Sequence, residues 1–263
     1  MASQRLDEWL SEAYDLELPV ARSYILQGLV SLNGSPVHQA GRRIRPDRDD
    51  IQFRKPADYR NRGTAKIRTA LHRLRDCGVE FAEQTCLDIG ASHGGFTAAL
   101  LEQGVGHVYA IDVAYGIFDF DLRRRAEVTV LERKNIKSIE TSWFGSDFEL
   151  CSKPFVVCDV SFLSLRSVVQ HLLEFMKRCG KQFQGLFLLK HQFEASERSE
   201  AGVIRDSELR FSLEREFQEF VENLGIRVVE RIPSALPGRK GNQETFFWLD
   251  YSIDLDKTAS SPS

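Results

Sequence analysis

The sequence predicts an α/β fold, a doubly wound Rossmann-like sheet of mostly parallel strands preceded by a small α+β module. Three observations predict it. Cys86–Asp112 (C-L-D-I-G-A-S-H-G-G-F-T-A-A-L-L-E-Q-G-V-G-H-V-Y-A-I-D) reads as strand, glycine-rich loop, helix, strand and acid, the order of a mononucleotide-binding βαβ unit. Short apolar runs then recur between helical stretches, as strands buried on both faces require. The first 54 residues instead combine two helices with short strands around a tight turn, and read as a separate unit.

In chain order, Arg5-Leu6-Asp7-x-Trp9-Leu10 opens a helix, and Pro19–Gln27 forms a second that Gly28 stops. Leu29–Leu32 alternates like a strand, Asn33-Gly34 signals a hairpin, and Ile44–Phe53 supplies further short strands. Residues 55–63 are polar, contain a proline and a glycine, and read as a linker. A helix is expected over Thr64–Asp76, with Lys66, Arg68, Arg73 and Arg75 on its polar side and Ala70, Leu71 and Leu74 buried. Cys86–Ile89 is the first strand of the large sheet, Gly95–Gln103 its helix and Val108–Ile111 the second strand. Glu127–Leu131, Phe155–Cys158 and Leu186–Leu189 follow as further strands. Ile226–Val229 and Thr245–Leu249 would close the sheet as an antiparallel end pair, and residues 254–263 read as a disordered tail.

The 263 residues suffice for one large domain with a small appendage, and 42% hydrophobic with 28% charged residues describes an ordinary globular chain. The cysteines, at 77, 86, 151, 158 and 179, form no C-x-x-C pair and lie near no histidine cluster, so neither a zinc site nor a disulfide framework is expected, and no metal. The N-terminal segment lacks the apolar core of a signal peptide, and no run of about 18 apolar residues exists; a cytoplasmic protein without membrane contact is expected. Net charge is −3, yet Arg42–Arg75 holds twelve Lys or Arg against four acids. One basic zone on an acidic chain points to a directed polyanion contact.

The glycine-rich loop narrows the ligand. Gly90, Gly94 and Gly95 allow a sharp turn and close approach, and Asp112, at a strand end about twenty residues on, can accept ribose hydroxyls. A dinucleotide loop needs a middle glycine for its pyrophosphate, and that position is Ser92. An adenosyl ligand without phosphates, S-adenosylmethionine, fits better, with Asp88 near its cationic end.

Polar residues directly after buried strands are the candidates for chemistry, because the sheet itself needs none. Asp159 and Lys190 each end an apolar run, Glu244 precedes Phe-Phe-Trp, and Lys66 lies in the helix leading into the sheet. A ribose 2′-hydroxyl is a weak acid, and a lysine can be its base where desolvation and a second lysine lower its pKa.

These residues stand in segments that carry a resemblance: L-D-I-G-A-S-H-G-G-F-T, V-Y-A-I-D-V-A-Y-G, D-V-S-F-L-S-L, L-K-H-Q-F-E-A, G-V-I-R-D and G-N-Q-E-T-F-F-W-L. With them the chain resembles the TlyA, or haemolysin A, family, whose catalytic part is similar to the FtsJ-like ribose methyltransferases. Residues 1–54, through R-L-D, A-R-S-Y-I-L-Q-G-L-V-S-L-N-G and D-D-I-Q-F, resemble the S-four type RNA-binding domain. The resemblance implies a methyltransferase domain over residues 64–253, S-adenosylmethionine as cofactor, and ribosomal RNA or ribosomal subunits as partner, with 2′-O-methylation expected at cytidine. It implies a catalytic set on Lys66, Asp159, Lys190 and Glu244, with Lys190 the base, and donor contacts at Gly90, Ser92, Gly94 and Asp112. RNA-backbone contacts would fall on Arg5, Arg22, Arg42, Arg43, Arg45 and Arg62. Two alternatives stay open: an RNA-binding protein with an inactive transferase domain, and a membrane-active haemolysin. The chain departs from the family's usual S-R-G-G-x-K-L and K-P-Q-F-E-A-G, reading N-R-G-T-A-K-I and K-H-Q-F-E-A-S, so His191 and Ser196 stand where the family has proline and glycine.

Overall fold

A computed structural model describes residues 3–54, 57–161, 163–195, 203–238 and 241–252, with the side chains of residues 57–59 excepted. The first part contains β1 (Gln4–Arg5), α1 (Leu6–Tyr14), α2 (Leu18–Leu26), β2 (Val30–Leu32), β3 (Ser35–Pro36), β4 (Arg43–Ile44) and β5 (Ile51–Phe53). Asn33 and Gly34 both take left-handed φ, 51° and 81°, and the two-residue loop pairs Leu32 with Ser35, the hairpin expected from Asn-Gly. β2 also pairs with β5, while β1 and β4 form a second small sheet. Leu6, Leu10, Ala21, Ile25, Val30, Leu32, Val37 and Ile44 make a core of their own.

The large part runs α3 (Ala57–Asp76), β6 (Thr85–Ile89), α4 (Gly95–Leu101), β7 (His107–Ile111), α5 (Phe120–Arg123), β8 (Val128–Leu131), α6 (Ser146–Leu150), β9 (Phe155–Cys158), α7 (Leu165–Arg178), β10 (Phe183–Leu189), α8 (His191–Glu194), α9 (Ser207–Asn223), β11 (Arg227–Pro233) and β12 (Thr245–Tyr251). Seven strands form one sheet in the order β11-β12-β10-β9-β6-β7-β8. The five from β10 to β8 are parallel, and β12 runs antiparallel to both β10 and β11, the end pair that the sequence suggested.

Side chains alternate faces along each strand, which divides the core in two. Leu87, Ile89, Tyr109, Val156, Phe187 and Phe247 pack with Val169, Leu172 and Met176 of α7 and Phe217 and Val221 of α9. Their neighbours Cys86, Val108, Phe155, Val157, Leu186 and Phe246 pack with Ile67, Leu71 and Leu74 of α3 and Phe96 and Leu100 of α4. Chain progression reverses between β6 and β9, the switch point at which such sheets bind ligands.

Three expectations shift. The helix expected from Thr64 begins at Ala57, so residues read as linker form its first turns. Gly63, which marks the linker in the sequence, lies where α3 crosses α4, and a Cβ there would come within 3.0 Å of Gly95 Cα, so its lack of a side chain serves the crossing. β10 starts at Phe183, before the apolar run read as strand. β11 continues beyond Val229 through a register shift to Pro233, because an edge strand tolerates the polar Glu230 and Arg231. The tail at 254–263, Ser196 and Phe162 lie outside the described residues.

Candidate active site

The loop after β6 sets the floor of the site. Gly90 has φ +84°, and a Cβ there would meet the Asp159 carbonyl oxygen at 2.7 Å, so this turn and the end of β9 are packed backbone to backbone. Asp112, at the end of β7, holds the loop from beside it: one carboxylate oxygen accepts from Ser92 N (2.7 Å) and the other from Ala114 N (2.8 Å). Asp88 lies wholly buried behind the loop, where Oδ2 accepts from Thr97 Oγ1 (2.7 Å) and Oδ1 has no hydrogen-bond partner. Burial pushes its carboxyl up to about 7, against the hydrogen bonds from Thr97.

Above this floor opens a cavity of about 500 Å³, bordered by Gly90, Ala91, Ser92, His93, Gly95 and Phe96 on one side. The other side is Arg62, Lys66, Asp159, Ser161, Lys190, Gln192 and Glu244. Four elements thus deliver the four residues singled out for chemistry. Glu244 Oε2 lies 2.7 Å from Lys66 Nζ, which lies 3.4 Å from Asp159 Oδ2, and Asp159 Oδ1 lies 2.5 Å from Lys190 Nζ. Lys190 also donates to Ser161 Oγ at 2.9 Å. The charges alternate. The second lysine expected near the base is present, but Asp159 lies between the two and both contact it. Burial alone would raise the Asp159 carboxyl, but the charges and hydrogen bonds of Lys190 and Lys66 outweigh it and hold it below its ordinary value.

The arginines divide. Arg5 and Arg22 both bind the buried Asp7 at 2.8 Å, and with their hydrogen bonds outweighing burial they lower its carboxyl to about 2. Arg42, Arg43 and Arg45 are exposed. Arg62, at the cavity mouth, donates to Pro237 O at 2.7 Å.

Four residues of the surroundings were not singled out from the sequence. Ser161 borders Lys190 within D-V-S-F-L-S-L. Glu194 accepts from Leu165 N (2.6 Å) and Ser164 Oγ (2.8 Å), capping α7 from the segment after Lys190. Asn242 Oδ1 accepts from Ile204 N (2.9 Å), joining G-N-Q-E to G-V-I-R-D. Glu214, on α9, meets His191. The first three lie inside the quoted segments, where a polar residue in each was the available signal; Glu214 had none.

The model of the FtsJ-like methyltransferases matches residues 59–251, the span that builds the sheet and supplies all four residues of the charge row. The chain belongs to the FtsJ-like methyltransferase family. Within it, the chain is 33% identical over 243 residues to hemolysin A of Brachyspira hyodysenteriae, covering 91% of this chain and 97% of that one. It is 36% identical over 197 residues to the 16S/23S rRNA (cytidine-2′-O)-methyltransferase TlyA of Mycobacterium tuberculosis, covering 74% and 69%. A solved structure described as a hemolysin, from Streptococcus thermophilus, aligns with a TM-score of 0.66 at 27% identity, over 98% of this chain and 93% of that one. Among the described residues no helix is long and apolar enough to cross a membrane, and no group of three or more His, Cys, Asp or Glu could hold a metal ion.

Proposed function

We propose that this FtsJ-like methyltransferase moves a methyl group from S-adenosylmethionine to a ribose 2′-hydroxyl of ribosomal RNA, at cytidine. The observation that carries the reading is the row Glu244, Lys66, Asp159, Lys190 along one wall of the cavity at the switch point. The rest of the lining fits the donor: the turn after β6 contributes the small residues Gly90, Ala91, Ser92 and Gly95, and the cavity's volume falls in the range of small-molecule sites. Held there by the loop of Gly90, Ser92 and Gly95, S-adenosylmethionine would supply an electrophilic methyl group, with a neutral thioether as the leaving group.

The chain's own residues position and deprotonate. Lys190 takes the proton of the 2′-hydroxyl. Asp159 and Ser161 fix its Nζ, and Lys66, held between Asp159 and Glu244, keeps Asp159 ionised and in place. The named activity of the Mycobacterium tuberculosis relative supports ribosomal RNA as the substrate and cytidine as the base. The exposed Arg42, Arg43 and Arg45 of the first part suit an RNA backbone, and supply its share of the binding if residues 1–54 act as an RNA-binding unit.

The test incubates the protein with labelled S-adenosylmethionine and unmodified ribosomal subunits, followed by nuclease mapping. Label on a ribose is expected, and Lys190→Ala should lower transfer by about 10²- to 10⁴-fold with donor affinity unchanged. Donor binding without label on any RNA would overturn the reading in favour of an RNA-binding protein with an inactive transferase part. Full transfer by Lys190→Ala would remove that lysine from the chemistry.

A further inference from the structure

His191 follows Lys190 directly and is 1% exposed, yet its imidazole contacts no reacting group. Its Nδ1 lies 3.0 Å from the carbonyl oxygen of Gln243, the residue before Glu244, and its Nε2 lies 3.0 Å from Glu214 Oε1 on α9. A carbonyl oxygen only accepts, so Nδ1 must carry a hydrogen. Glu214 Oε1 already accepts from Thr245 Oγ1 at 2.6 Å, and Arg231 Nη1 lies 3.6 Å from Oε2. Burial would raise this carboxyl, but the hydrogen bonds of His191 and Thr245 and the charges of His191 and Arg231 outweigh it and lower it. Glu214 faces the other ring nitrogen through Oε1, so the imidazole lies between a backbone carbonyl and a carboxyl oxygen, one on each side.

We infer that His191 is a positioning residue whose doubly hydrogen-bonding ring ties the chain segment bearing Lys190 to the segment bearing Glu244, with Glu214 as the anchor on α9. Lys190 and Glu244 are the two ends of the charge row, and each is the immediate chain neighbour of a group in this clasp. Without the ring the two segments lose this link and separate at that point. Glu214 is itself held by Thr245 of β12 and Arg231 of β11, and Lys190 on the ring's own segment reaches Asp159. The clasp makes the reach between Lys190 and Asp159 depend on a residue outside the charge row.

The inference rests on the methyl transfer proposed above, and wild-type transfer is measured in the same series so that the two can fail separately. His191→Ala is expected to lower kcat by about 10- to 100-fold while the donor Kd and the KM for RNA stay within about twofold, since a small misplacement of the base acts on the chemical step. Glu214→Gln carries the sharper expectation. Its amide keeps an acceptor for Thr245 and a polar partner for Nε2, so its kcat should lie well above that of Glu214→Ala and near that of wild type. Glu214→Ala offers no such partner and should resemble His191→Ala, which keeps the test open where His191→Ala does not fold. Wild-type transfer with an unchanged kcat in His191→Ala, or a kcat in Glu214→Gln no better than in Glu214→Ala, would overturn the clasp and leave the proposed reaction standing. No transfer by wild type would sink the proposed reaction instead.

Discussion

At the scale of single residues, the part of the fold proposed to hold the donor trades stability for a buried carboxylate. Asp88 is fully buried with one oxygen unpartnered, and its folded-state value of about 7 lies above the ordinary carboxylate value. Ionising it therefore opposes folding. The stability associated with its protonated form is fully present below about pH 4 and is lost as the pH rises through about 7. Asp88→Asn keeps an acceptor for Thr97 Oγ1 and removes the charge, so its melting temperature should exceed that of wild type by several degrees at pH 8 and converge with it at pH 4. Parallel melting curves across that range would show that Asp88 is not the source of the pH dependence. Donor affinity is expected to fall in the same variant, the usual cost of relieving a buried group at a binding site.

At the scale of elements, the strand ends were legible because strands buried on both faces read as bare apolar runs, and a polar residue after such a run stands out. Asp159 and Lys190 stand out that way, and Glu244 by its place directly before such a run. The start of α3 was not legible: residues 57–63 carry no apolar periodicity, and Gly63 reads as a breaker until the crossing with α4 gives it a packing reason. Nor was the partner of His191, because Glu214 is 23 residues away on another element and nothing in its local sequence distinguishes it from other helix-surface glutamates. Glu194 shows the same limit at closer range, since its motif was recognisable but its task was not. Its carboxylate binds the first turn of α7, at Leu165 N and Ser164 Oγ, and so joins the segment after Lys190 to the segment after Asp159. An acceptor at a helix N-terminus contributes about 1 kcal/mol. Glu194→Ala should lower unfolding free energy by about that amount in chemical denaturation, and Glu194→Gln, which retains an acceptor, by less. Equal losses in the two variants would show that the cap does not act through its acceptor oxygens.

At the scale of the whole molecule, the two parts have separate cores but meet at the loop beyond Asp112. Ser23 of α2 and Gln27, just beyond its end, both donate to the Gly116 carbonyl, Gln27 at 2.7 Å, and Arg124 pairs with Glu17 at 3.2 Å. The same α2 carries Arg22, which with Arg5 is bound to the buried Asp7. Two of the arginines that the sequence offered for RNA are therefore already engaged within the first part, and charge from Arg42, Arg43 and Arg45 remains exposed for a polyanion. Contacts of this kind are phosphate-directed: they position without reading bases, and each releases counterions when RNA binds. Replacing all three by serine should therefore weaken RNA binding uniformly across sequences and reduce the slope of log K against log salt by about 2, given a single-strand contribution of about 0.7 per phosphate. Because the charge row and the cavity lie on other elements, kcat at saturating RNA and donor affinity should stay at wild-type values. An unchanged salt slope would place the RNA path elsewhere, with the basic residues of α3 beside the cavity mouth the next to replace, and a fall in kcat would show that the first part does more than hold the backbone.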